Sequence, residues 1–86
     1  MELVVNLASY RKEDWNKLVN SADDRETMHD TWDEWRKAFI ETKTRLESQG
    51  LTVNEVIIDI DELLQFCRRN GLKNIGKTRS QYVSKP

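Results

Sequence analysis

The sequence predicts an α+β domain, predominantly helical, with three to four helices and one or two short strands. Three observations carry that expectation. Met28, Trp32, Trp35, Phe39, Thr42 and Leu46 recur at steps of four and three, the stripe of an amphipathic helix. Val56, Ile58 and Ile60 alternate within a β-branched run, the pattern of a short strand. Gly50 and Gly71 each follow an apolar periodic segment, where a left-handed residue closes a helix.

Taken in order, Leu3, Val5 and Leu7 alternate and suggest a short strand or an ordered lead-in. From Tyr10 to Asn20 the pattern is helical, with Trp15, Leu18 and Val19 on one face. Ser21-Ala22-Asp23-Asp24 breaks it, because such side chains bond their own backbone. The main helix is expected to start at Thr27, with Asp30 three residues on resembling a capping box. It is expected to run about 22 residues, ~33 Å, to Gly50 and the apolar Leu51.

Residues 52–62 fit two templates. Thr52 and Glu55 form a capping-box pair for a helix carrying Val56, Ile57, Ile60, Leu63, Leu64 and Cys67. Clustered β-branched residues pack poorly in a helix, so the strand is preferred, followed by a helix capped by Asp59 and Glu62 and ended by Gly71. Asn74-Ile75-Gly76 reads as a turn, Lys77 to Ser84 as a last short helix packing Tyr82 and Val83, and Pro86 as tail.

Length and composition narrow the function. The chain of 86 residues is expected to form a single domain, 1–86. Ordering each residue costs roughly 1.5 kcal/mol of conformational entropy. With 37% hydrophobic residues, most large apolar side chains must enter one core. That leaves little for an enclosed substrate chamber, and no small-molecule substrate or cofactor is expected; a dimer sharing its core would relieve the shortage. One cysteine excludes an intramolecular disulfide framework, and one histidine with one cysteine excludes the ordinary structural zinc sets. The segment Met1-Glu2-Leu3-Val4-Val5 lacks the basic and apolar regions of a signal peptide. No apolar run approaches the roughly 18 residues of a membrane span, so no membrane partner is expected and the cytoplasm is the expected compartment.

Candidate sites mostly reduce to packing and capping. Asp59-x-Asp61 after a Val/Ile run superficially resembles the opening of haloacid-dehalogenase-like phosphatases, where the first Asp attacks phosphorus and the second serves as acid and base. Glu62-Leu63 stands where that motif continues with Gly-Thr, and only 25 residues follow Asp61, too few for its parallel sheet. The two aspartates therefore read as helix caps. His29 with Asp30 and Asp33 is insufficient for a metal, and acidic residues at a helix start complement its dipole. Cys67, on the apolar stripe with Leu63 and Leu64, reads as a buried small hydrophobe. The three tryptophans read as core.

Charge is unevenly distributed. All 15 carboxylates lie in residues 1–62 with 8 Lys or Arg, giving −7, whereas residues 63–86 carry six basic side chains and no acidic one, giving +6. Arg68 and Arg69 are explained by the carbonyl end of a helix. Lys73, Lys77, Arg79 and Lys85 remain as a candidate patch for a protein or nucleic-acid partner. A helix-turn-helix with Gly71 in its turn would need apolar residues near positions 77 and 80, where Lys77 and Ser80 stand. The competing expectation folds this basic end onto the acidic stretch from Asp23 to Glu34.

From Thr52 onward the chain resembles a group of small uncharacterised bacterial proteins. The residues that carry the likeness are Val56-Ile57-Ile58-Asp59-Ile60-Asp61-Glu62-Leu63, Phe66-Cys67, Gly71 and Arg79-Ser80-Gln81-Tyr82-Val83. The resemblance implies a strand followed by a helix and no assigned activity. With no convergent acid, base and nucleophile in view, the expected function is a non-enzymatic protein-interaction module that self-associates as a homodimer. The alternative is a nucleic-acid-binding accessory protein using the basic end, 63–86.

Overall fold

A computed structural model of the chain describes residues 3–84. Strand β1 (Val4–Ser9) leads through a 3-10 turn at Lys12–Asp14 into helix α1 (Trp15–Ser21). A second 3-10 turn at Arg25–Thr27 precedes helix α2 (Trp32–Ser48), then strand β2 (Thr52–Ile57), helix α3 (Ile60–Asn70) and helix α4 (Gly76–Ser84). The described residues thus form a predominantly helical α+β fold with four α-helices and a two-stranded sheet.

The two strands pair in parallel, Val4 opposite Thr52 through Ser9 opposite Ile57. Alternation along each strand assigns the faces. Glu55 reaches Arg36 and Lys43 of α2, so Val53, Glu55 and Ile57, with Val5 and Leu7 opposite, face α2. Asn6 donates to the Val83 carbonyl of α4 (3.0 Å), so Asn6, Ala8, Asn54 and Val56 face α4. A two-stranded sheet thereby lies between α2 and the C-terminal helices.

The core sits on the second face. Tyr10, Trp15, Leu18, Ile58, Ile60, Leu63, Cys67 and Val83 form one buried cluster, on which Ala8, Val56, Met28, Trp32 and Trp35 pack. Each large apolar side chain buried there contributes about 1.5–3 kcal/mol. The α2 face is emptier: of the 17 residues of α2 only Phe39 is buried.

The caps explain the boundaries, and several depart from expectation. Helix α2 begins at Trp32 rather than near Thr27. Thr31 Oγ1 accepts from Glu34 N–H (3.1 Å) while Thr31 N–H donates to Glu34 Oε1 (3.2 Å), a full capping box. Thr27 instead donates its hydroxyl to the Asp24 carbonyl (2.9 Å) inside the 3-10 turn. The first helix starts at Trp15, not Tyr10, because the preceding turn is pinned by Arg11 Nε on Asp14 Oδ2 at 3.0 Å. Gly50 (φ 88°) closes α2, with Leu51 N–H returning to the Leu46 carbonyl. At Gly71 (φ 63°) the Leu72 N–H returns to the Cys67 carbonyl, the glycine-capped end expected for α3.

Residues 52–57 are a strand, as the β-branched run implied, but the strand ends at Ile57 and Ile60 opens α3. Asp59 Oδ1 accepts from Glu62 N–H (3.1 Å) and so sets that boundary. Asp61 is not a cap; its carboxylate meets Lys17 Nζ at 2.7 Å.

Candidate interaction surface at the open edge of the sheet

Ladder parity shows which backbone groups the sheet leaves over. Thr52 N–H donates to the Leu3 carbonyl and Ile58 N–H to the Ser9 carbonyl, both at 2.9 Å. In a parallel pair every second residue of a strand bonds its neighbour. Even-numbered residues of β2 therefore bond odd-numbered residues of β1. The N–H and C=O groups of Val53, Glu55 and Ile57 point away from β1, as do those of Val4, Asn6 and Ala8.

The two outer edges have different surroundings. On the β1 side α4 packs on the strand, and Leu7 and Ala8 border a cleft whose other walls are Trp35, Ala38 and Phe39 of α2 and Ser80 of α4. On the β2 side α2 covers one face only. Ile57 is 62% exposed and Ile40, on α2, is 42% exposed. Arg36, Ile40 and Lys43 follow each other at steps of four and three, so Ile40 lies on the same helix stripe as the two cations that hold Glu55. Those cations lie at 3.1 Å (Arg36 Nη1 to Oε2) and 3.3 Å (Lys43 Nζ to Oε1). The Arg36 hydrogen bonds, with Lys43 beside them, hold the Glu55 carboxyl below the usual carboxylate range against a smaller opposing effect of burial. Val53, Glu55, Ile57 and Ile40 thus form a surface of apolar groups around one neutralised carboxylate.

The basic patch expected at the C-terminal end is not assembled as expected. Lys73 and Lys77 are exposed, flanking the 74–76 turn, and Lys85 lies outside the described residues. Arg79 is the correction: it is 7% exposed and turned inward. Its guanidinium meets both oxygens of Asp24 (Nη1 to Oδ1 3.1 Å, Nη2 to Oδ2 2.9 Å) and donates to Asn74 Oδ1 at 3.0 Å. The cause is local to α4. Asp24 Oδ2 also accepts from Gly76 N–H (2.9 Å) at the start of α4, and one turn later Arg79 projects onto the same carboxylate. Asp23 adds a second stitch, accepting from Asn74 N–H at 2.8 Å. Burial opposes the charge on Asp24, but the Arg79 guanidinium and the Gly76 amide outweigh it and hold the carboxyl below its ordinary range. For Arg79 the expectation that the basic end folds onto the acidic stretch describes what is found.

Beside this clasp, at the carboxyl end of β1, lies a cavity of about 290 Å³ walled by Tyr10, Trp15, Met28 and Trp35, with His29 and Ser80 among its polar lining. Crevices at the carboxyl ends of parallel strands are common ligand sites. Here the Asp24 and Arg79 charges are spent on each other, and burial pushes the Tyr10 phenol up so that it stays protonated. Among the described residues the buried Trp15 indole N–H has no hydrogen-bond partner, an omission that costs about 1–3 kcal/mol.

The remaining candidates resolve simply. Cys67 is buried, and burial pushes its thiol up, away from the reactive thiolate. His29 is exposed. Among the described residues no three His, Cys, Asp or Glu side chains are placed to hold a metal ion, and no helix is long and apolar enough to cross a membrane. Sequence reasoning missed the β2 edge, although the second stripe of α2 (Arg36, Ile40, Lys43) was visible as spacing. It also missed the Asp24–Arg79 pair, for which a separation of 55 positions leaves no local signal. No family model, curated protein or solved structure matches the chain.

Proposed function

We propose that the chain is a non-enzymatic interaction module that receives an extended partner segment along the outer edge of β2. The supporting observation is the coincidence of three backbone positions that point away from β1, Val53, Glu55 and Ile57, with the exposed side chains of Ile57 and Ile40. In sheet extension the main chain supplies the hydrogen bonds and alternate side chains supply the selectivity. An exposed apolar edge left unpaired is otherwise an aggregation liability. The nucleic-acid alternative rested on a four-residue basic patch, and Arg79 is withdrawn from it by Asp24.

Val53→Pro tests the reading. It deletes an outward N–H and leaves the ladder to β1 whole, a replacement that edge strands tolerate. Tagged wild-type chain, Val53→Pro and the Lys73→Glu/Lys77→Glu pair serve as baits for the protein's own copies, other proteins and nucleic acid. Capture lost in Val53→Pro and kept in the lysine variant is the expected result. The reverse pattern overturns it.

A further inference from the structure

Resting on that reading, we propose that the segment received by β2 is the β2 of a second copy, paired antiparallel across a two-fold axis at Glu55. A two-fold interface must be self-complementary, and this edge meets that condition in one register. In an antiparallel pair, residues directly opposite exchange both hydrogen bonds only where both present outward groups. Setting Glu55 opposite Glu55 of the partner copy uses all three outward positions, with Val53 opposite Ile57 twice. The sheet becomes four-stranded, with order β1-β2-β2-β1.

The side chains suit the same register. Ile57, the most exposed large apolar side chain among the described residues, gains Val53 of the other copy as its cross-strand neighbour. Like charges opposite each other are ordinarily unfavourable. Here each Glu55 arrives already held by Arg36 and Lys43, so the axis gathers two carboxylates and four cations. Both α2 helices lie on the same side of the extended sheet, and the exposed Ile40 of each stands on the stripe bordering the axis. Helix α2, packed on β2, thereby lies beside the axis of the dimer, while α4, packed on β1, lies farther from it.

Sedimentation equilibrium and paired cysteine variants test this. At micromolar concentration the wild-type chain is expected at twice 10.2 kDa, and Val53→Pro at the single-chain mass. Opposed residues of a hydrogen-bonded antiparallel pair lie about 5.5 Å apart, within disulfide reach. Under mild oxidation, Val53→Cys mixed with Ile57→Cys is expected to form a cross-linked dimer, and neither variant is expected to do so alone. Homotypic cross-linking of either variant, or a dimer that Val53→Pro leaves intact, overturns the register. A monomeric wild-type chain overturns self-pairing. It leaves the edge reading standing only if another protein is captured in a Val53-dependent way, so the two failures are distinguishable.

Discussion

The two strands of the sheet are equal in length and carry helices that are held in different ways. On β1 the chain has packed α4, clasped by Asp24 and Arg79 and tied to the strand through Asn6 and the Val83 carbonyl. On β2 the chain has packed α2, which contributes two cations and an exposed isoleucine beside the outer edge of the strand. The buried cluster draws on α1, on Ile58 and α3 beyond the end of β2, and on Val83 of α4, and none of it comes from α2. The Asp24–Arg79 clasp and the buried cluster hold α4 in place, whereas the proposed association uses the outer edge of β2. The difference teaches where substitutions should cost stability and where they should cost association.

The largest effect is expected on the clasped flank. Asp24→Ala leaves the Arg79 guanidinium buried with no carboxylate, and such half-broken pairs lose about 3 kcal/mol. The urea midpoint should fall accordingly, while the folded fraction keeps its self-association; unchanged stability would mean that the clasp is ornamental. Acid should reproduce part of this loss. Asp24 has a folded pKa below its unfolded value, so its contribution is complete above the unfolded pKa of about 3.9 and disappears as pH falls through the folded one. Melting temperature should be level from pH 7 to about 5 and drop below about 4, and Asp24→Asn should flatten that drop.

Smaller effects are expected on the open flank. Glu55→Lys removes two half-exposed ion pairs worth about 0–1 kcal/mol together, so the melting curve should move little. The same change places six cations at the proposed axis, and dimer affinity should fall at least about tenfold, equal to 1.4 kcal/mol. Sedimentation of this variant separates the two quantities. Least of all is expected from Lys77→Glu, an exposed residue away from both flanks' contacts, which should stay within about 0.5 kcal/mol in stability and leave association unchanged.

What could be read in the sequence follows the range of the interactions. Helix ends governed by residues three or four apart were legible, as at Asp59 with Glu62 and at both capping glycines. The start of α2 was misplaced because Thr27 and Thr31 each precede an acidic residue by three. Only Thr31 has a glutamate, long enough to reach back to the cap N–H. The strand at 52–57 was legible from β-branching, and its parallel pairing was not, since nothing in either segment states its direction. Arg79 was misjudged for a related reason: flanking polar residues suggest exposure, and the carboxylate that buries it belongs to another part of the chain.

The parallel pairing has a further consequence, in time rather than space. Each residue of β1 meets a partner 48 positions later, as Val4 meets Thr52, and Asp24 meets Arg79 later still. Contacts of such long separation form slowly, because loop closure must precede any reward. On a ribosome the first strand emerges long before the second, and the clasp closes only when α4 is free. The Val4–Ser9 segment therefore waits unpaired until Thr52–Ile57 has been made and released. In the proposed dimer, pairing through β2 follows that wait, so folding of the sheet precedes association.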